Sequence, residues 1–236
     1  MRAPITVVIP TLNAEAPLVA LMSDLVEGVG EGLVREVIVS DGGSIDATRA
    51  AAANAGAAVV EGPPGRGGQL RRGCAAAAGD WLWAVHADTR LPSGWTAAVA
   101  RHLRTDGAGW ARLAFRSDAS AARHVAVWAN LRSRLGLPYG DQTLLLPRAL
   151  YEAVGGYEDV PLMEDVRLVR RLRGRLAPMD LTVTTDAARY EAEGWTRRGA
   201  RNLALLARHA AGADPAALAR SYRRRQRRVD RPRARD

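Results

Sequence analysis

Four short stretches carry polar residues of the kind that handle phosphate, cations or protons. Three of them end apolar runs: Pro10-Thr11-Leu12-Asn13 after Ile5–Ile9, Ser40-Asp41-Gly42-Gly43-Ser44 after Val37–Val39, and His86-Ala87-Asp88 after Trp81–Val85. The fourth, Glu164-Asp165, opens a stretch with helical spacing over 163–173. In open α/β sheets, ligands bind outside the carboxyl ends of the strands, so the three strand ends should face one crevice. A carboxylate followed by glycines at a strand end has no packing purpose; the plainer alternative is that Asp41 and Asp46 cap the next helix. Asp88 is a hard oxygen ligand suited to Mg2+ or Mn2+, and an imidazole at His86 suits Mn2+ better. Arg66 stands in the loop Gly65-Arg66-Gly67-Gly68-Gln69, where its side chain and the backbone N–H groups can hold phosphate oxygens. No Gly-Lys-Ser/Thr follows, so this is not a P-loop.

The elements that must position these residues alternate. Residues 5–10 read as a buried strand stopped by Pro10, 15–29 as a helix, 36–40 as a strand, and 44–56 as a helix with Ser44 as its cap. A third strand over 57–61, a helix ending near Gly79 and a fourth strand over 81–86 follow, with Pro92 in the first turn of the next helix. This alternation predicts a doubly wound, largely parallel sheet. Beyond it come strands over 109–116 and 143–146, an extended run over 176–184, and helices over 118–135, 163–173 and 198–211. A last helix starts at Asp214-Pro215 and runs to Tyr222.

The charge is uneven. The chain has 236 residues and a net charge of +9, yet residues 197–236 alone hold 13 Arg against three acids. The remainder, 21 Arg against 22 acids, is close to neutral. Such a tail suits an anionic surface, acidic lipid foremost, or is a solvated end. No recognised nucleic-acid module accompanies it, so nucleic-acid binding is not expected. A single cysteine, Cys74, rules out an intrachain disulfide framework. No signal peptide or spanning segment is apparent, so a cytoplasmic location is expected, with association to an anionic membrane surface through the basic tail as a further option. His102, His124 and His209 lack metal-ligand spacing. Trp81 and Trp83 read as sheet packing, and Trp95 and Tyr157 as either core or a sugar floor.

Ile-Pro-Thr-Leu-Asn at 9–13 and Val-Ser-Asp-Gly-Gly-Ser-Ile-Asp-Ala-Thr at 39–48 resemble the signature of family 2 glycosyltransferases. His86-Ala87-Asp88 stands where that family has Asp-x-Asp, and Gly155-Gly156-Tyr157 with Glu164-Asp165 resembles its acceptor-side segment. The runs Gly65–Leu70, His86–Thr89, Gly140-Asp141-Gln142 and Pro161–Asp165 resemble the branch described as radical-SAM-associated or arsenosugar-biosynthesis glycosyltransferases. The resemblance implies a GT-A fold, that is, a Rossmann-like α/β, mostly parallel sheet flanked by helices. It implies a UDP- or GDP-sugar donor, a small-molecule or lipid-linked hydroxyl acceptor, and inverting transfer dependent on Mn2+ or Mg2+. By the same resemblance Asp41 reads the nucleobase, Pro10, Thr11 and Asn13 line the nucleoside pocket, and Arg66 and Gln69 hold the diphosphate. Asp88 and His86 are the metal candidates, although His86 departs from the family's Asp and can instead touch ribose or diphosphate. Asp165 is the general base beside Glu164, and Asp141 and Gln142 contact donor sugar or acceptor. The expected organisation is a catalytic domain over 1–195, divided near 108 into nucleotide and acceptor halves. Helices over 196–222 and a disordered basic tail over 223–236 complete it. The competing readings are a nucleotidyltransferase of similar fold and a nucleotide-sugar-binding scaffold without chemistry.

Overall fold

A computed structural model describes residues 2–221, so the basic tail over 223–236 and the end of the last helix at Tyr222 lie outside the described residues. Seven strands among those residues form one sheet: β1 (Ile5–Thr11), β2 (Val34–Asp41), β3 (Ala58–Glu61), β4 (Trp81–Ala84), β5 (Ala108–Phe115), β6 (Leu144–Pro147) and β7 (Leu176–Thr185). Their order is β3-β2-β1-β4-β6-β5-β7. The first four are parallel, as the alternation predicts. β6 runs antiparallel to both β4 and β5, and β5 pairs in parallel with β7. The helices are α1 (Glu15–Gly30), α2 (Thr48–Asn54), α3 (Arg66–Ala76), α4 (Trp95–His102), α5 (Ser120–Arg134), α6 (Arg148–Ala153), α7 (Glu164–Arg171), α8 (Ala188–Glu193) and α9 (Trp195–Ala210).

The strands are apolar on both faces because both faces are covered. Val7 and Ile9 of β1, Val37 and Val39 of β2 and Trp83 of β4 pack with Leu18, Leu21 and Leu25 of α1 and Trp95 and Val99 of α4. The alternate residues Val8, Ile38 and Leu82 pack on the opposite face with Leu70 of α3, Leu150 of α6 and Leu168 of α7. Trp83 and Trp95 meet with ring centroids 4.9 Å apart inside the first cluster. Tyr157 is buried against Tyr151. Trp95 and Tyr157 are therefore core residues, not a sugar floor.

Register sets the site. β1 and β2 end side by side at Thr11 and Asp41. β4 leaves its pairing with β1 at Val8 and Ala84, so His86 and Asp88 emerge next to the 10–13 turn. One local expectation fails. The second helix starts at Thr48 rather than after Ser44, because the Ser44 hydroxyl is spent on Asp41 and the turn is held by Asp46, which accepts from the Thr48 N–H and hydroxyl.

The glycine-rich loop serves packing as well as any ligand. A Cβ at Gly67 would stand 2.8 Å from Val160 O and closer still to Glu158 O, both rigid backbone atoms. Gly67→Ala is therefore expected to destabilise the fold by about 2 kcal/mol and lower Tm by roughly 6 °C. A thermal melt of the variant that overlays the parent's would remove this reading of the loop.

Candidate functional site

The ends of β1 and β2 are locked by a buried polar network. Asp41 is wholly buried, and each of its oxygens takes two hydrogen bonds. Oδ1 accepts from Thr11 Oγ1 (3.1 Å) and Ser44 Oγ (2.5 Å), and Oδ2 accepts from the N–H groups of Gly43 (2.8 Å) and Ser44 (2.7 Å). Gln69 donates to Thr11 O (2.6 Å) and Ser40 O (2.9 Å), and its Oε1 accepts from Gly65 N–H (3.1 Å). Thr11, Asp41 and Gln69, all expected at the donor, stand behind the cavity wall and brace the loops that form it. Asn13 does reach the wall. Its N–H donates to Ser44 Oγ and its side-chain oxygen accepts from Ile45 N–H, which fixes the 42–45 loop against it.

Burial pushes the Asp41 carboxyl up, but the hydrogen bonds from Ser44, Gly43 and Thr11 outweigh it and hold the group below its usual 3.8. Its stabilisation is therefore present above the unfolded carboxylate's pKa and is lost only as pH falls through the lower folded value. Asp41→Asn leaves two of four donors without an acceptor, and a loss of about 3 kcal/mol is expected from urea unfolding at pH 7. An unchanged urea midpoint would contradict it.

In front of this network lies a cavity of about 510 Å³. Pro10 lines it from the end of β1 and Asn13 from the turn after it, Arg66 from the glycine loop, His86 and Asp88 from the segment that follows β4, Gly140 and Asp141 from the turn before β6, and Glu164 and Asp165 from the start of α7. Asp88 and Asp165 thus share one cavity with His86 between them in charge: burial and Arg66 lower the His86 pKa while Asp88 and Asp165 raise it, and the net shift is downward. A neutral imidazole with a free lone pair results. The ring lies against Gly140, where a Cβ would stand 2.6 Å from Nε2. Gly140 N–H in turn donates to Asp165 Oδ2 (2.8 Å), so a bare backbone segment fits between imidazole and carboxylate.

Glu164 and Asp165 form the first turn of α7, where negative charge is favoured by the helix dipole. Glu164 is 2% exposed with Oε1 3.5 Å from Arg66 Nε. Burial raises its pKa and Arg66 opposes the rise. Asp141 is pushed up to about 6, chiefly by burial, with Arg132 pulling down and Asp165 and Asp88 pushing up. Its Oδ1 is buried with no hydrogen-bond partner, so its lone pairs are available to a ligand hydroxyl or a cation. Its neighbour Gln142 is structural: it accepts from Ser133 Oγ (2.5 Å) and Arg132 and donates to Ala111 O and Asn130.

Among the described residues, no three His, Cys, Asp or Glu side chains are grouped so that they could hold a metal ion by themselves. The donor set nevertheless fits a divalent cation. Asp88 supplies a hard oxygen and His86 a neutral nitrogen, while Mg2+ and Mn2+ characteristically take their other ligands from phosphate and water. Backbone strain gathers here too. The non-glycine residues with positive φ among the described residues are Asn13 (51°), Thr143 (53°) and Met163 (68°); Asn13 and Met163 line the cavity, and Thr143 follows the Gly140–Gln142 turn that does.

The far wall was not anticipated from sequence. Phe115, Thr185, Asp186, Arg189, Tyr190, Arg198, Asn202 and Leu205 line it. Tyr190 stacks on Trp195 (5.0 Å) and meets Phe115 edge-on (4.9 Å), while Arg198 pairs with Glu193 and lies over the Tyr190 ring. The cluster Tyr190, Trp195, Arg198 in one short stretch was the available signal.

Comparison with known proteins bears on the family and the fold. The sequence profile of the family described as Glycosyl transferase family 2 matches residues 6–145. Glucosyl-3-phosphoglycerate synthase of Mycobacterium tuberculosis is 40% identical over 97 residues, 37% of this chain and 30% of that protein. The Mycobacterium bovis enzyme of the same description matches equally. The chain thus aligns with about 30% of the length of the curated relatives it matches. Among solved structures, the M. tuberculosis synthase in complex with Mn2+, UDP and glucosyl-3-phosphoglycerate superposes with a TM-score of 0.53 at 25% identity, over 78% of this chain and 70% of that one. Its complex with Mg2+ and UDP superposes with a TM-score of 0.54 at 25% identity, over 78% and 69%. The sheet and its flanking helices are therefore the GT-A arrangement expected from sequence.

Proposed function

We propose, from the premise that this chain belongs to glycosyl transferase family 2, that it moves a sugar from a nucleoside-diphosphate donor to a hydroxyl acceptor with inversion, dependent on Mn2+ or Mg2+. The observation that carries the reading is the shared cavity, with His86 and Asp88 from the segment after β4 on one wall and Asp165 of α7 joined to the Gly140 segment beside them. The UDP in the relative's complexes favours a UDP-sugar over a GDP-sugar. The acceptor class stays open between a small molecule and a lipid-linked hydroxyl.

In this reading Asn13 and Pro10 flank the nucleoside, and Asp41, Thr11 and Gln69 act from behind by holding that turn. Arg66 reaches diphosphate oxygens from the glycine loop while its Nε faces Glu164. Asp88 and His86 would hold the cation, which would supply charge neutralisation for the departing diphosphate. Asp165, oriented by Gly140 N–H, takes the acceptor proton and so makes a weak hydroxyl a competent nucleophile. Glu164 keeps Arg66 in place and narrows the site around the transferred sugar. Tyr190, Arg198 and Asn202 form the acceptor wall. Residues 1–108 serve the donor, and the acceptor side runs from 109 past 195. α9 belongs to the catalytic body because its Arg198, Asn202 and Leu205 line the cavity.

The test is incubation of the purified chain with UDP- and GDP-sugars, Mn2+ and a hydroxyl acceptor panel. Release of nucleoside diphosphate with a product of inverted anomeric configuration by NMR is expected. Pyrophosphate release from a nucleoside triphosphate would point to a nucleotidyltransferase, and donor binding without turnover under either metal to a scaffold.

A further inference from the structure

Helix α5 works on one side and is bare on the other. Its inner residues hold the site: Asn130 exchanges hydrogen bonds with the Leu113 backbone (2.8 and 3.0 Å), Arg132 donates to Leu137 O (2.9 Å), and Ser133 donates to Gln142. Its outer side exposes Val127 (67%), Trp128 (55%), Leu131 (47%) and Leu135 (77%). The spacing i, i+1, i+4, i+8 puts all four on one helical face. Arg123 and Arg134 are exposed at the borders, and no acid occurs between Ala119 and Leu135.

We propose that this face of α5 docks on an anionic lipid surface, lying in the plane of the interface. This deepens the membrane-surface part of the sequence reading, which rested on the Arg-rich end alone, and it does not depend on the sugar-transfer reading. An apolar stripe that includes a Trp, with arginines at its rim, matches the boundary between acyl chains and anionic headgroups, where arginine stems lie along apolar surface and the heads reach phosphate. A second copy of this chain fits worse. A two-fold contact would set a patch bearing only positive charge against itself. The sequence beyond residue 221 adds eight Arg and two Asp of the same overall sign. No helix among the described residues is long and apolar enough to cross a membrane, so the contact is peripheral. Docking sets the Tyr139–Asp141 wall of the cavity about one helix diameter, roughly 10 Å, from the lipid, which suits an acceptor held at the interface.

The experiment is co-sedimentation of the full-length chain with vesicles of phosphatidylcholine alone and with phosphatidylglycerol added. The arms are the parent, Trp128→Ser/Leu131→Ser, and a full-length variant with the Arg residues of 223–235 replaced by Gln. The double variant is expected to partition at least about tenfold more weakly to anionic vesicles with an unchanged thermal melt, since both side chains are exposed. The tail variant should keep a Trp128-dependent fluorescence quench by bromine-labelled lipid. Equal partitioning of parent and double variant would overturn the proposal. So would binding abolished by the tail variant alone, or a parent dimer that Trp128→Ser/Leu131→Ser converts to monomer. Because no sugar donor is present, none of these results bears on glycosyl transfer.

Discussion

Asp165→Asn is expected to leave UDP affinity within about twofold of the parent while depressing sugar transfer by about a thousandfold, the scale of a lost general base. The substitution is nearly isosteric. The amide oxygen can still accept from Gly140 N–H, which holds Asp165 Oδ2 at 2.8 Å, so the turn carrying Asp141 should not move. What disappears is the capacity to take a proton from the acceptor hydroxyl. Titration calorimetry with UDP and Mn2+, paired with single-turnover transfer, separates the two effects. If transfer persists at the parent's rate, Asp165 is not the base. If UDP binding collapses as well, Asp165 belongs to the donor side and the division of labour proposed above is wrong.

Asp88→Ala is expected to reduce turnover by at least about a thousandfold and to make the remaining UDP binding insensitive to Mn2+, because the stabilisation a bound cation lends to a departing diphosphate is worth several kcal/mol. Asp88 is exposed on the cavity wall, so its loss should cost little stability. The parent's UDP affinity should rise with added Mn2+ and fall with chelator, while the variant's should stay at the parent's chelated value. Metal-dependent binding that survives in Asp88→Ala would shift the cation to Asp141 and His86. The unpartnered Asp141 Oδ1 makes that the specific alternative.

The nucleotide half was legible because it is built from local signals. β-branched runs ended by polar clusters located β1, β2 and β4, and glycines and prolines marked the turns between them. The second half was not, for reasons that lie in tertiary structure. An apolar run such as Leu144–Leu146 carries no sign of direction, and only pairing with β4 and β5 reveals that it is antiparallel. The short α8 and the 3-10 turn over Gly140–Gln142 fall below the length at which periodicity speaks. The site itself divides by burial. Asp88, His86, Arg66, Asp141, Glu164 and Asp165 reach the cavity. Thr11, Asp41, Gln69 and Gln142 are equally polar, yet they are consumed by buried backbone and side-chain partners behind the wall. A one-dimensional pattern cannot separate a side chain that holds a ligand from one that holds the loop that holds the ligand. The acceptor wall was missed because Arg198, Asn202 and Leu205 sit on an amphipathic helix whose inner face reads as ordinary packing.

The most direct test of the shared cavity is a crystal of this chain grown with UDP and Mn2+, with the cation located by its anomalous signal. The account expects the manganese within coordination distance of Asp88, the diphosphate beside Arg66, and the Asp165 carboxylate open to the same cavity on the acceptor side. A UDP bound away from β4, or a manganese out of reach of Asp88, His86 and Asp141, would contradict it.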